Sequence, residues 1–387
     1  MILKELFVMH FVIERNRFVH DVQNVAKAVS SRTTIPILTG MKIVATNEGI
    51  TLTGSDSDIS IETFIPTEEE DLHLVEIKQE GSIVLQARFF AEIVKKLPGE
   101  QIEISVQDQL SATIRSGSSV FTLNGLDPEE YPRLPQLEED LVFRLPQDML
   151  KNIIRQTVFA VSTQETRPVL TGVNLEIEKG ELICTATDSR RLAMRKSSVE
   201  RNDQELTFEN VVIPGKSLTE LSRILEDNDE LTEVVVTENQ ILFKLGHTLF
   251  FSRLLDGKYP VTSSMIPTHS KTTFSVQTKS LLQTLERALL LSDGKNNVVT
   301  LKTLNDQQIE ITSVSPEIGK VTEDLATSDQ EGEEMRISFN GKIVIDALKV
   351  IDSEKVNIMF TGAMSAFVVR PTDHDHYLHL FSPVRTY

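Results

Sequence analysis

Between residues 15 and 29 the apolar side chains fall at Phe18, Val22, Val25, Ala26 and Val29, the three-to-four spacing of one helix face. On either side the spacing drops to two, predicting a strand over 10–14 and further strands over 41–45, 50–53 and 59–61. The order then plays again. Residues 82–85 lead into a helix near 86–97, apolar at Phe89, Phe90, Ile93, Val94 and Leu97 and stopped by Pro98-Gly99. Alternation returns over 102–104, 112–114 and 120–123. Few helices among many short hairpin-forming strands predict an α+β domain with its helices on one face of antiparallel sheets.

The same stripe recurs at a fixed offset. Phe18, Val22, Ala26 and Val29 correspond to Leu150, Ile154, Val158 and Val161, and Pro36-Ile37-Leu38-Thr39-Gly40 to Pro168-Val169-Leu170-Thr171-Gly172, all 132 positions on. Sixteen residues beyond each glycine stands an aspartate followed by serine, Asp56-Ser57 and Asp188-Ser189. A fainter third copy opens at Phe274-Ser275-Val276, as the others open at Phe11-Val12-Ile13 and Phe143-Arg144-Leu145; it lacks the Pro-x-Leu-Thr-Gly run and has Ser315 in place of the aspartate. The junctions Leu126-Asp127-Pro128-Glu129-Glu130-Tyr131-Pro132 and Leu255-Asp256-Gly257-Lys258-Tyr259-Pro260 close the first two copies. Three duplicated domains follow, over 9–133, 134–262 and 263–387, of ordinary domain size rather than solenoid length, with residues 1–8 an extension outside the fold.

No apolar run reaches membrane-spanning length and nothing resembles a cleavable signal, so a cytoplasmic protein is expected. A formal net charge of −18 argues against nucleic acid, since phosphates repel an acidic surface. The distribution argues the other way. Each of the six predicted helices carries more cations than anions, among them Arg15, Arg17 and Lys27 on 15–29, and Arg88, Lys95 and Lys96 on 86–97. The others are Lys151 and Arg155 on 148–161, Lys216 and Arg223 on 215–225, Lys279 and Arg287 on 278–291, and Lys342 and Lys349 on 340–350. Such cations can simply solvate a face; if all helices line one surface, that surface is basic while strands and loops are acidic.

Catalytic chemistry is not legible. Pro214-Gly215-Lys216-Ser217 has the look of a phosphate loop, but the required glycine five residues before Gly215 is Asn210. Asp56 and Asp58 could pair on a metal, yet the second copy has Asp188 and Arg190, so turn-forming aspartates fit better. Asp373-His374-Asp375-His376, with His379 beyond, has a metal site's composition but sits where a polar hairpin loop is expected. Cys184, the one cysteine, lies in an apolar strand pattern and reads as a buried thiol. Neither a metal nor a cofactor is called for.

Several long, separated motifs resemble the bacterial sliding clamp family, the beta subunit of the replicative DNA polymerase III. They are the stretch 30–40, Gly54-Ser55-Asp56-Ser57-Asp58-Ile59, the stretch 184–192, Ser315-Pro316-Glu317-Ile318-Gly319 and the ending Pro383-Val384-Arg385-Thr386-Tyr387, the last like low-GC Gram-positive members. The resemblance covers essentially residues 9–387. It implies a non-catalytic processivity factor: two chains closing head to tail into a ring of six clamp-fold domains, with helices facing encircled duplex DNA and strands pairing across the subunit boundary. Contact with phosphates would be loose and free of base readout.

The resemblance also places sites. DNA-facing positions fall on Arg32, Arg88, Gln164 and Lys216, and dimer contacts on Phe121, Leu123, Leu290 and Leu291. An apolar pocket taking a Gln-Leu-x-Leu-Phe-like motif from polymerase subunits, clamp loader and other partners falls on Leu170, Thr187, Ser189, Arg190, Arg191 and Leu192. It is completed by Pro260 and Met265 and by the tail residues Ser382, Pro383, Val384 and Arg385. Arg190 stands where histidine is common and Ser382 where an apolar residue is common, departures that would retune peptide preference. Two rival classes are an enzyme using the 373–379 histidines and an adaptor without a DNA role.

Overall fold

The computed structural model describes residues 7–30, 33–107, 109–134, 141–201, 206–292, 297–304 and 307–385. It forms two compact units, one of 1–147 with 223–254, the other of 148–222 with 255–387. The second sequence repeat is therefore shared between them. The reason is visible in the pairing: its strand Thr248–Arg253 runs antiparallel to Ile59–Pro66 of the first repeat, with Phe250 opposite Ile61. Its strand Arg191–Ser198 is paired instead with Tyr377–Phe381 of the third, with Ala193 opposite His379.

Among the described residues six α-helices stand where the apolar spacing predicts them: α1 Arg15–Ala26, α2 Ala87–Lys96, α3 Gln147–Thr157, α4 Gly215–Ser222, α5 Thr278–Leu289 and α6 Gly341–Leu348. They are shorter than predicted at the C-terminal ends; α3, for example, gives way to a 3-10 turn over Val158–Ala160. Local chemistry sets their starts. Glu14 accepts from the backbone N–H of Asn16 and Arg17, and Asn340 from those of Lys342 and Ile343, so donors left open at each N-terminus are satisfied.

In the first unit the stripe of α1 buries Phe18, Val22 and Val25, and Phe18 meets Phe11 and Phe90 edge-on at centroid distances of 6.2 and 6.0 Å. In the second, α5 and α6 close over Phe274, Phe339, Phe360 and Phe367, all 2 % exposed or less. At roughly 1.5–3 kcal/mol for each fully buried large apolar side chain, these layers dominate stability.

One expectation shifts at the N-terminus. The first strand begins at Phe7, paired with Gln107, so residues 7 and 8 of the expected extension belong to the sheet.

Candidate functional site

The Pro-x-Leu-Thr-Gly runs build the same corner twice. Pro36–Thr39 and Pro168–Thr171 are 3-10 turns whose threonine hydroxyls donate back to the proline carbonyls at 2.8 and 2.7 Å. The following glycine then enters a strand at a place where no side chain fits. A Cβ on Gly40 would lie 2.3 Å from Val84 Cγ1, and one on Gly172 would lie 2.6 Å from the Ile213 carbonyl oxygen.

The aspartates are turn residues, as their spacing suggests. Asp56 Oδ1 accepts from the N–H of Asp58 and Ile59; Asp188 Oδ1 accepts from those of Arg190 and Arg191. The serine after each is turned into the left-handed region, with φ of 82° at Ser57 and 73° at Ser189. Tyr131 and Tyr259, from the repeated junctions, reach into the two corners. Tyr259 Oη accepts from Thr187 N–H at 3.0 Å and Tyr131 Oη donates to the Gly40 carbonyl at 3.4 Å. Burial raises both phenols above their ordinary range. Sequence reasoning gave these tyrosines no role beyond punctuation, although the repeated Tyr-Pro was the available signal. Asn210, noted only as the missing glycine, holds Tyr259 in place by accepting its N–H at 2.7 Å while donating to the Gly257 carbonyl.

Around the second corner lie several of the residues expected of the pocket. Leu170 packs with Val212 and Tyr259, and Leu192 with Val368 and Leu380. Thr187 donates to the Arg191 carbonyl at 2.6 Å and accepts from Ser189 N–H. The tail is stitched to this corner: Ser382 N–H donates to the Arg190 carbonyl at 2.8 Å and Val384 N–H to the Ser338 carbonyl at 2.7 Å. Pro260 follows Tyr259 directly, and Met265 lies on an exposed 3-10 turn, 47 % accessible. A cavity of about 780 Å³ beside the corner is lined by Leu170, Ser189, Arg190 and Arg191, and by Gln164, which was assigned to DNA. Thr187, Leu192, Pro260, Met265 and the tail residues do not line it.

Arg191 has a different part from Arg190. Its guanidinium donates to Asp188 at 3.1 Å, to Asp346 of α6 at 2.9 Å and to the Phe159 carbonyl at 2.6 Å, and lies 5.2 Å from the Phe159 ring centroid. This side chain is a tether between the corner and the third repeat, while Arg190 is exposed. His379 is fully buried 5.5 Å from the Phe159 ring, with both ring nitrogens unpartnered among the described residues. Burial, with Arg191 second, lowers its pKa to about 3. Among the described residues no group of three or more His, Cys, Asp or Glu is arranged to hold a metal ion. Cys184 is 2 % exposed, and burial pushes its thiol up to about 12, the behaviour of an inert core group.

Among the sheet edges of the described residues, two lie beside the expected dimer contacts. Over residues 119–124 the strand Ser119–Leu126 is paired only with Ser111–Ser116, because its contact with Gly81–Gln86 begins at Gly125. Gly319–Ala326 is the last strand of a four-stranded sheet. Phe121 on the first edge is 41 % exposed, and Leu290, which caps α5 near the second, is 76 % exposed. Leu123 and Leu291 are half-buried beside them.

Residues 9–135, 144–261 and 263–385 match in turn the N-terminal, central and C-terminal domains of the DNA polymerase III beta subunit. This chain belongs to the family of beta sliding clamps. It is 74 % identical over 380 residues to the beta sliding clamp of Halalkalibacterium halodurans, covering 98 % of this chain and 100 % of that one. The crystal structure of the Bacillus subtilis sliding clamp superposes with a TM-score of 0.94 at 58 % identity, over 98 % of this chain and 100 % of that one. A Pseudomonas aeruginosa sliding clamp bound to griselimycin superposes with a TM-score of 0.91 at 29 % identity, over 98 % and 100 %.

Ion pairing in the structure corrects the sequence tally of helix charges. Arg17 is paired with Asp21 at 2.7 Å and Glu69 at 2.8 Å, and Lys96 with Glu92 at 3.1 Å. Arg155 is paired with Asp352, Arg287 with Glu323 at 2.6 Å and Lys349 with Glu286 at 3.1 Å. Much of the helix cation count is thus cancelled by carboxylates, four of them, Glu69, Asp352, Glu323 and Glu286, on other elements. Arg88, Lys95, Lys279 and Lys342 are exposed with no carboxylate in ion-pair range among the described residues. Arg88 leans over Phe89 at 5.9 Å, Gln164 and Lys216 are exposed, and Arg32 lies outside the described residues. Among the described residues no helix is long and apolar enough to cross a membrane.

Proposed function

We propose that this clamp works as a head-to-tail dimeric ring that encircles duplex DNA and tethers its partners there, with no chemistry of its own. The observation that carries this reading is the pair of open, antiparallel-competent sheet edges, one in each unit, each flanked by exposed apolar side chains. An unpaired edge is normally shielded, because its free N–H and C=O groups recruit other strands. Residues 119–124 of one subunit pairing with Gly319–Ala326 of the next would satisfy both edges, and Phe121, Leu123, Leu290 and Leu291 would be desolvated together. The open helix cations Arg88, Lys95, Lys279 and Lys342, with Lys216, Gln164 and Arg32, would then hold phosphates loosely. The family's replicative role supports a place for the ring in the cytoplasm, at the nucleoid.

Partners would dock on the second corner. Leu170, Leu192, Pro260, Pro383 and Met265 supply apolar walls for the leucine and phenylalanine of a Gln-Leu-x-Leu-Phe-like segment. Arg190 and the backbone of Ser189 and Arg385 are left for its polar groups. Polymerase subunits, the clamp loader and repair proteins would compete for this place.

The assembly is tested by the solution mass of Leu290→Ala with Leu291→Ala. A folded monomer at sub-micromolar concentration is the outcome expected from losing two partly desolvated leucines, about 2–4 kcal/mol in all. A dimer of unchanged affinity would remove this interface from consideration.

A further inference from the structure

The first corner encloses its own cavity, about 390 Å³, and duplication makes it the counterpart of the partner pocket. Leu38, Ser55 and Ser57 line it at the positions that Leu170, Thr187 and Ser189 hold 132 residues later, and Pro132 stands where the second junction has Pro260. The closing wall is equivalent too. Arg253 N–H donates to the Asp58 carbonyl at 2.9 Å, as Ser382 N–H donates to that of Arg190 at 2.8 Å.

We propose that this cavity is a second peptide-binding pocket, one that takes a short extended segment carrying an apolar side chain next to carboxylates. The inference rests on reading the second corner as a peptide site. Three features set the occupant's chemistry. Leu38, Ile35 and Phe251 give apolar surface, Ile35 being 45 % exposed. Arg133 and Arg253 line the cavity, both exposed and neither in an ion pair among the described residues, in a chain of net charge −18. Opposite them Asp58 is the one acidic residue among the described residues of the lining, so the lining favours an anionic ligand. Gln240 Oε1, also in the lining, is buried with no hydrogen-bond partner among the described residues and would accept from an N–H donor such as a peptide amide. Where the second corner offers Leu192 and Arg190, the first offers Ser60 and Asp58, so the two pockets would prefer different segments.

The test uses the full chain and a version lacking residues 383–387, with two fluorescein-labelled peptides read by anisotropy. One is the neutral Gln-Leu-Ser-Leu-Phe, the other the acidic Asp-Leu-Asp-Leu-Phe. The tail-deleted protein should still bind the acidic peptide, one per chain. Arg133→Glu with Arg253→Glu should weaken that binding at least tenfold, and Gln240→Leu should weaken it several-fold at unchanged melting temperature. In the full chain the arginine substitutions should leave the neutral peptide unaffected. Loss of the acidic peptide with the tail, together with indifference to the arginine substitutions, overturns the second pocket while leaving the first reading intact. Tighter binding of a single-stranded oligonucleotide than of the acidic peptide to the tail-deleted protein also overturns it, in favour of nucleic acid. Neutral-peptide binding that survives tail deletion unchanged counts against the partner pocket instead, and is read separately.

Discussion

The corners at 36–60 and 168–192 share a backbone and differ in what holds and lines them. Both keep the threonine-closed turn, the glycine with no room for a side chain, the aspartate accepting two N–H groups and the left-handed serine. The residue three after the aspartate is Ile59 in one, simply buried, and Arg191 in the other, tied to three partners. The strand pairing onto each corner presents Phe250 in the first and His379 in the second, both fully buried. Duplication thus preserved the groups that fix backbone geometry. It left free those that decide which neighbour is gripped and which ligand is met.

The largest expected contrast comes from the tail. Deleting residues 383–387 should weaken a Gln-Leu-Ser-Leu-Phe peptide about 100-fold, roughly 2.7 kcal/mol, by calorimetry. The melting temperature should stay within a few degrees, because among the described residues the backbone bond given up by the fold is that from Val384 N–H to Ser338. Unchanged affinity would mean that the second corner is not the partner site.

Next in size is the tether. Arg191→Ala removes three charge-assisted hydrogen bonds from a side chain only 12 % exposed. Chemical denaturation should show a loss of about 2–3 kcal/mol, since bonds to charged groups contribute more than neutral ones and Asp188 and Asp346 lose their counter-charge. Ile59→Ala should cost a similar amount through cavity formation, with no salt dependence. Equal salt sensitivity in the two variants would contradict the difference drawn between the corners.

A smaller effect separates the corners by pH. His379 has its folded pKa lowered to about 3, below the ordinary 6.5, so the unfolded chain takes up the proton first. Its contribution is complete above pH 6.5 and is lost progressively as pH falls toward 3. At about 1.4 kcal/mol per pH unit, roughly 2 kcal/mol is gone by pH 5. His379→Phe, which borrows the first corner's residue, should flatten the stability profile between pH 6.5 and 4.5 relative to the parent. A profile of the same slope would show that other groups govern it.

The helices, the turn aspartates and the buried Cys184 were legible because each depends on local spacing or on a pattern the chain repeats. The cancellation of helix charge was not, since Glu69 meets Arg17 and Glu323 meets Arg287 from remote strands that no tally by helix can see. The tether made by Arg191 was not legible for the same reason: its anchor Asp346 lies 155 residues away. The sharing of the second repeat between two units was hidden as well, because strands that join neighbouring repeats carry the same alternation as those within one. The 390 Å³ cavity in the first corner went unremarked although its signal was present, in the constant offset linking Ser57 to Ser189 and in the repeated Tyr-Pro.

We infer that closure around DNA, rather than affinity, keeps this clamp in place. Retention on a nicked circular plasmid after ATP-dependent loading by a clamp loader, followed by gel filtration at moderate salt, tests it most directly. The account predicts that the protein stays with the circle and is released when a restriction enzyme linearises it, since phosphate contacts alone weaken steeply with salt. Equal retention on circular and linear DNA with free ends would contradict it.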